Sequence, residues 1–302
     1  MLSTFLCICD RIRVMHLEFF ICIRGKFIMK NLAVLGPKGT FSDEAANRYI
    51  SKNNINITKT YYDTIDDVVY SLQSDCNMCI VPVENTLAGY VQKTLDLLLE
   101  MSITIVNEIF IPVQFSLISN VKEISEIKNT FVQFKTREQC TNIIKELKNS
   151  HIITTESNME SYEKYINGKV GDSAIIPKHI FSSNENNFGV TNVTDSSNNT
   201  TRFLILTKSQ DYKTEINKKK DIKVSLYVLN ASHKPGVLFG ILKVFSENNV
   251  NLISIMSKPT KKELGSYNFF IELNGKIKEK ENILRTLEVL KLKYKIKILG
   301  IY

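Results

Sequence analysis

Asn199-Thr200-Thr201-Arg202-Phe203 runs straight into Leu204-Ile205-Leu206. A polar loop here enters a buried strand, and a hydroxyl stands beside a guanidinium at the point of entry. Such a pair suits holding an anion next to a proton donor. Two segments far upstream have a related design, a strand, a small polar loop and a helix start: Leu35-Gly36-Pro37-Lys38-Gly39-Thr40-Phe41-Ser42 and Val81-Pro82-Val83-Glu84-Asn85-Thr86. Three such junctions, all feeding from or into apolar strands, indicate an α/β fold.

Outward from these junctions the alternation continues. From Asn31 to about Lys208, short apolar strands such as Thr58–Tyr62, Met78–Val83, Thr130–Phe134 and Phe203–Thr207 alternate with helical stretches such as Ser42–Ser51, Leu87–Glu100 and Arg137–Asn149. About nine strands are many for one compact sheet. Two lobes with a cleft between them is the economical arrangement, with ligands expected at strand C-termini and helix N-termini.

The stretch 209–221 is polar and lysine-rich and reads as a linker. After it, Val224–Leu229, a Pro235-Gly236 turn and the helix face Val237, Leu238, Ile241, Leu242 and Phe245 open a second unit. A strand at Val250–Ser257, alternating Tyr267, Phe269, Ile271 and Leu273, a helix face through Ile283, Leu287 and Leu290, and a strand at Tyr294–Leu299 complete it. The order βαββαβ is ferredoxin-like. Its open sheet edge is expected to pair with another copy, giving a dimer or larger homo-oligomer.

Residues 1–28 differ from the rest: they hold Cys7, Cys9 and Cys22, and Asp10, Arg11, Arg13, Glu18 and Arg24 break their apolar runs. No run there approaches the roughly 20 residues needed to span a bilayer, and none has the layout of a secretory signal. Met29 is the expected natural start, with 1–28 a dispensable extension.

The net charge of +8 comes from 39 basic and 31 acidic side chains. No basic helix face with interleaved aromatics appears, so neither nucleic acid nor membrane is an expected partner. The positive balance modestly favours a small anionic substrate. Cys76-Asn77-Met78-Cys79 enters an apolar strand and has no second ligand pair, so it reads as structural. Unpaired cysteines and the lack of a secretory signal point to the cytoplasm. No metal cluster, Ser-His-Asp set or nucleotide-binding glycine motif is seen, so neither metal nor cofactor is expected.

Gly36 and Gly39 permit close backbone approach, and Ser42 reads as a helix N-cap with Asp43 and Glu44 in the first turn. Free amides there suit a carboxylate. Glu84 and Asn85 end a buried strand, where polar groups need partners; Asn85 or Thr86 reads as the cap of the next helix. Arg202 suits bidentate binding of a carboxylate, and Thr201 suits proton donation. Each loop taken singly is also readable as plain architecture: a tight turn, a helix cap, a structural bridge through Arg202.

In this order and at these separations, Gly36-Pro-x-Gly-Thr-Phe-Ser42, Val81-Pro-Val-Glu-Asn85 with Gly89, Val91, Thr94, Asp96 and Leu97, and Asn199-x-Thr-Arg-Phe203 resemble the three signature segments of the prephenate dehydratase family. The second unit is similar to the ACT regulatory domain through His233-x-Pro-Gly-Val-Leu238 and Ser257-Lys258-Pro259. The resemblance implies a two-lobed, periplasmic-binding-protein-like catalytic domain over 29–208 and an ACT domain over 222–302. It implies cofactor-free decarboxylative dehydration of prephenate to phenylpyruvate, in phenylalanine biosynthesis, with phenylalanine as feedback effector. The extension is too short for the chorismate mutase helices fused in some relatives.

Carried over residue by residue, the resemblance implies Thr201 as proton donor, with Arg202 and Asn85 in the catalytic set. Gly39, Thr40, Ser42, Glu84, Thr86, Gln139 and Phe203 are the implied substrate contacts. His233, Pro235, Gly236, Val237, Leu238, Asn251, Ser257 and Lys258 are the implied effector contacts. The chain departs from the family pattern in three places. Val132-Gln133-Phe134 stands where Ser-His-Pro is usual. Met256-Ser257-Lys258-Pro259 replaces Glu-Ser-Arg-Pro, and Gly236-Val237-Leu238 replaces Gly-Ala-Leu. The first departure bears on prephenate against arogenate as substrate, the others on effector strength. A non-catalytic solute or amino-acid sensor is the reading from another class.

Overall fold

A computed structural model of the chain describes residues 31–181, 188–209, 221–231, 235–261 and 265–302. The expected extension at 1–28, the linker body and His233 lie outside the described residues.

The first lobe is built from β1 (Asn31–Leu35), α1 (Phe41–Asn53), β2 (Thr58–Tyr62), α2 (Ile65–Tyr70), β3 (Met78–Asn85), β4 (Gly89–Tyr90), α3 (Gln92–Glu100) and β5 (Ile103–Pro112). The chain then crosses to the second lobe: β6 (Phe115–Ser119), β7 (Asn129–Gln133), α4 (Phe134–Gln139), α5 (Thr141–Glu146), β8 (His151–Thr155), α6 (Asn158–Ile166), β9 (Asp172–Pro177) and β10 (Phe188–Thr191). It returns through β11 (Thr200–Lys208), which completes the first sheet in the order β2-β1-β3-β11-β5 with β4 on β3; the second sheet runs β10-β6-β9-β7-β8. The two crossings are tied together, Val113 N donating to Asn199 O at 2.8 Å and Phe115 N to Thr194 Oγ1 at 2.8 Å.

The second unit is β12 (Asp221–Ala231), α7 (Val237–Glu247), β13 (Leu252–Pro259), β14 (Tyr267–Lys276), α8 (Lys280–Lys293) and β15 (Ile296–Ile301). Its antiparallel sheet runs β13-β14-β12-β15. No helix among the described residues is long and apolar enough to cross a membrane.

Three differences from the sequence expectation bear on the site. First, α1 starts at Phe41, so Thr40 is its N-cap: Thr40 Oγ1 accepts from Asp43 N at 3.3 Å, and Ser42 has no capping role. Second, β3 continues past Val83 to Asn85, because β11 and β4 pair with its end, Thr201 and Gly89 both opposite Asn85 and Arg202 and Tyr90 both opposite Glu84. Gly89 takes φ +74° at the turn, so the helix expected from Leu87 begins only at Gln92. Neither Asn85 nor Thr86 caps it. Third, the helix expected over Arg137–Asn149 is two short helices broken at Cys140, and Phe134 opens the first of them rather than ending β7.

The sheet of this second unit lies face-on against the first lobe. Tyr227, Phe270, Leu299 and Tyr302 share one apolar cluster with Val83, Leu95, Leu98 and Ile105. Each large side chain so buried stabilises the contact by about 1.5–3 kcal/mol. Gly300 permits the closest approach, since an added Cβ would meet the carbonyl oxygen of Ile105 on β5.

Candidate active site

The C-terminal ends of the parallel strands β1 and β3 and the start of antiparallel β11 share one edge of the first sheet. The three junctions singled out in the sequence lie there. The tightest constellation is a line of side chains reaching from this edge to the second lobe. Asn85 Nδ2 donates to Thr201 Oγ1 at 2.9 Å and to Asn199 Oδ1 at 2.7 Å. Asn199 Nδ2 donates to Gln139 Oε1 at 2.8 Å, and Gln139 ends α4 of the second lobe. Asn199 is only 1% exposed. Asn85 Oδ1 accepts from Leu87 N and Ala88 N, both at 3.0 Å, so both ends of its amide are committed. Asp195 fixes the far end: its carboxylate accepts from Thr141 N and Asn142 N at the start of α5, while its own N–H donates to Gln139 O at 2.8 Å. Desolvation opposes ionisation of Asp195, yet these bonds hold its carboxyl below the usual value.

The Thr201 hydroxyl thus receives a hydrogen bond, and its own proton meets no acceptor among the described residues. Gln139 Nε2 likewise meets no acceptor there. These are the donors the site can offer to a ligand at the lobe junction.

The Gly36–Ser42 loop contributes in a different way. Gly39 has φ +91°, and a Cβ there would lie 2.8 Å from Met159 Sδ on the second lobe. His179 Nε2 donates to Gly39 O at 2.9 Å, and Phe41 packs edge-on against Phe115 at 5.5 Å between centroids and against His179 at 5.4 Å. This loop therefore seats one lobe on the other. Gly39 N, expected to face an anion, instead donates to Asp43 Oδ2 at 2.9 Å. Asp43 is also held by Lys59 and by Tyr61 OH. Burial raises its pKa, but the bonds from Lys59, Gly39 and Tyr61 outweigh it and leave the carboxyl below its ordinary value. Thr40 Oγ1 is used in the cap and donates to Leu35 O. The Ser42 hydroxyl, and the first-turn amides of Phe41 and Ser42, meet no acceptor among the described residues and remain for a carboxylate.

Several expected contacts are placed elsewhere. Arg202 is 5% exposed and faces away from Thr201, because successive strand residues point to opposite faces. Its guanidinium binds Glu272 of the C-terminal βαββαβ unit through two bonds, 2.8 and 2.6 Å, with Nε on Glu108 at 2.7 Å and Nη1 on Glu84 at 3.3 Å. It is a bridge between domains, with its guanidinium turned to three carboxylates of the protein itself. Glu84, its cross-strand partner, lies on that same face and accepts from Arg202. Phe203 is core, packed with Ala45, Ala46 and Ile111 beneath α1. The Thr86 hydroxyl donates to Asn198 O at 2.8 Å and accepts from Thr200 N at 3.0 Å, tying the end of β3 to the start of β11. Lys258, expected among the effector contacts, points to the catalytic domain: its Nζ lies 2.6 Å from Asp96 Oδ1 and 3.2 Å from Gln92 O of α3. Its neighbour Ser257 is exposed on the other side of β13, with Pro235, Gly236, Leu238 and Asn251 also exposed. Val237 is half-buried.

The sequence reading gave no role to Asn199, His179 or Glu272. A buried Asn beside Thr200-Thr201 was visible as a residue in need of partners. Glu272 gave no signal, since its strand reads as Tyr267, Phe269, Ile271 and Leu273 facing one core, and the second face is defined only by the docked domain.

Fold and site together define a two-lobed α/β enzyme with a polar junction between its lobes and a βαββαβ regulatory unit behind it. The prephenate dehydratase family model matches residues 32–211 and the ACT domain model residues 224–290. The chain belongs to the prephenate dehydratase family. It is 32% identical over 279 residues to the bifunctional chorismate mutase/prephenate dehydratase of Aquifex aeolicus, covering 90% of this chain and 73% of that protein. It is 31% identical over 255 residues to the prephenate dehydratase of Methanocaldococcus jannaschii, covering 83% and 91%. Among solved structures, prephenate dehydratase from Staphylococcus aureus has a TM-score of 0.73 at 28% identity, covering 91% of this chain and all of that one. The Arthrobacter aurescens prephenate dehydratase, solved in complex with L-Phe, has the same fold at a TM-score of 0.73, with 23% identity over 90% of this chain and 89% of that one.

Proposed function

We propose that this chain is a hydro-lyase that converts prephenate to phenylpyruvate, water and CO2, with phenylalanine as its feedback effector. The bond between the ring and its carboxylate breaks, its electron pair enters the ring, and the opposite ring hydroxyl leaves. The departing oxygen takes one proton and becomes water. The observation that carries this reading is the Thr201 hydroxyl, which is oriented by Asn85 with its own proton uncommitted. A threonine is a weak acid, but aromatisation and loss of CO2 supply the driving force, so positioning contributes more than acidity. Gln139 Nε2, Ser42 Oγ and the α1 amides are the groups we assign to the two carboxylates.

The effector region is the Pro235-Gly236 turn with Val237, Leu238, Asn251 and Ser257, facing a second copy. Leu238, Phe239 and Leu242 on α7 and Ile253 and Ile255 on the edge strand β13 are exposed large apolar residues, which supports a homo-oligomer built through this surface. The free thiols of Cys76, Cys79 and Cys140 support a cytoplasmic setting. The test is the full chain with prephenate, following phenylpyruvate absorbance with and without phenylalanine. Phenylpyruvate formation that phenylalanine suppresses is expected. Prephenate binding without turnover would make the chain a sensor, and turnover of arogenate alone would change the substrate.

A further inference from the structure

Glu272 lies at the centre of β14 in the ACT domain and is 1% exposed. A buried carboxylate needs strong partners; of its four, Arg202 and Tyr90 come from the first lobe, and Ser225 and Tyr302 from its own domain. Oε2 accepts from Arg202 Nη1 at 2.8 Å and lies 3.1 Å from Tyr90 OH; Oε1 accepts from Arg202 Nη2 at 2.6 Å and from Ser225 Oγ at 2.6 Å. Tyr302 OH accepts from Arg202 Nη2 at 3.1 Å, and Tyr90 OH also lies 2.8 Å from Ser254 Oγ of β13.

Arg202 and Tyr90 lie on the two strands that pair with the end of β3. Arg202 follows Thr201 on β11, Tyr90 follows Gly89 on β4, and both sit opposite Glu84, the residue before Asn85. One carboxylate of the regulatory domain therefore holds both strands paired to the end of β3. On the β3 side the β11 register shifts between Arg202 and Phe203, whereas β5 pairs with β11 without a break from Thr200 to Ile205. The bidentate guanidinium contact fixes direction as well as distance.

We infer that Glu272 is a positioning residue for the active site: acting through Arg202 and Tyr90, it fixes the strand ends that aim Thr201 and Asn85, so the ACT sheet and the proton donor move together. This rests on the reading of Thr201 as proton donor, and it makes Arg202 a part of that linkage. Charge is needed at position 272, because a neutral amide accepts only through one oxygen and presents N–H groups to the guanidinium.

The test uses the full chain carrying Glu272→Gln, Arg202→Lys or Tyr90→Phe. Steady-state kinetics with prephenate are read per folded molecule, with near-ultraviolet circular dichroism giving the folded fraction. Hydrogen exchange is read on peptides covering 199–203, with β7 as the internal control. The expected result is a kcat lower by roughly 10–100-fold for Glu272→Gln, within the span of site-to-site coupling, with KM within about twofold. Faster exchange is expected at 199–203 and not at β7. Tyr90→Phe, which deletes a single hydroxyl and keeps the ring packed, is expected to give a smaller change of the same kind. Unchanged kcat and exchange in Glu272→Gln and Tyr90→Phe would overturn the inference, as would Arg202→Lys raising KM alone. The exchange arm decides the matter even if prephenate proves not to be the substrate.

Discussion

The Thr201 hydroxyl is oriented before any ligand arrives, because Asn85 Nδ2 supplies its hydrogen bond and Asn85 is itself locked by Asn199, Leu87 N and Ala88 N. Asn85→Ala removes the orienting bond and leaves the acid in place. It should lower kcat with little change in KM, checked by steady-state kinetics on prephenate. Gln139→Ala should instead raise KM, because the proposed role of its Nε2 is to bind a substrate carboxylate. At this scale the sequence was partly legible. A hydroxyl residue at a loop-to-strand junction and a polar pair ending an apolar strand both called for partners, and Asn85 of that pair is the partner of Thr201. Arg202 misled because proximity in sequence was read as a shared face, whereas the pleat sends adjacent residues to opposite sides of the sheet. Lys258 and Ser257 repeat the same geometry on β13.

Helix α3 shows what holds the elements together. The ACT domain grips it along its length: Lys258 at Asp96 and Gln92 O, Tyr227 OH at Leu95 O at 2.9 Å, and Lys297 Nζ at Leu99 O and Met101 O at 2.8 and 2.6 Å. The last places a cation on the carbonyls at a helix C-terminus, where the helix dipole favours it. Tyr227→Phe should cost about 0.5–1.5 kcal/mol, read as a lower urea midpoint at constant slope. A larger loss would mean that the ring has repacked. The periodicity of α1 and of the long apolar strands was legible because local patterning decides them. The ends of β3 and α3 were not, because tertiary pairing with β4 and β11 outbids helix propensity after Asn85.

Over the whole molecule, three carboxylates, Glu272, Asp43 and Asp195, tie domain to domain, fix the Gly39 loop and anchor Gln139. Burial opposes ionisation of each, and their hydrogen bonds nonetheless keep each below its ordinary value. A folded pKa below the unfolded one gives stability that is present above the unfolded pKa and is lost as pH falls through the folded one. The melting temperature should therefore hold from neutrality to about pH 5 and fall below about pH 4. Glu272→Gln should flatten part of that acid limb; an unchanged limb would remove Glu272 from the linkage. The α/β alternation and the βαββαβ order made both domains legible in sequence. Their docking was not, because it depends on the sheet face bearing Tyr227, Phe270 and Tyr302, a surface that only the assembled first lobe completes.

The central claim is that the Thr201 hydroxyl delivers the proton to the departing ring oxygen, and the most direct measurement is the turnover of prephenate by Thr201→Ala beside the unaltered chain. The account expects kcat lower by ~10²–10⁴, the range for loss of one general acid, with prephenate still bound. Full activity in Thr201→Ala would contradict it.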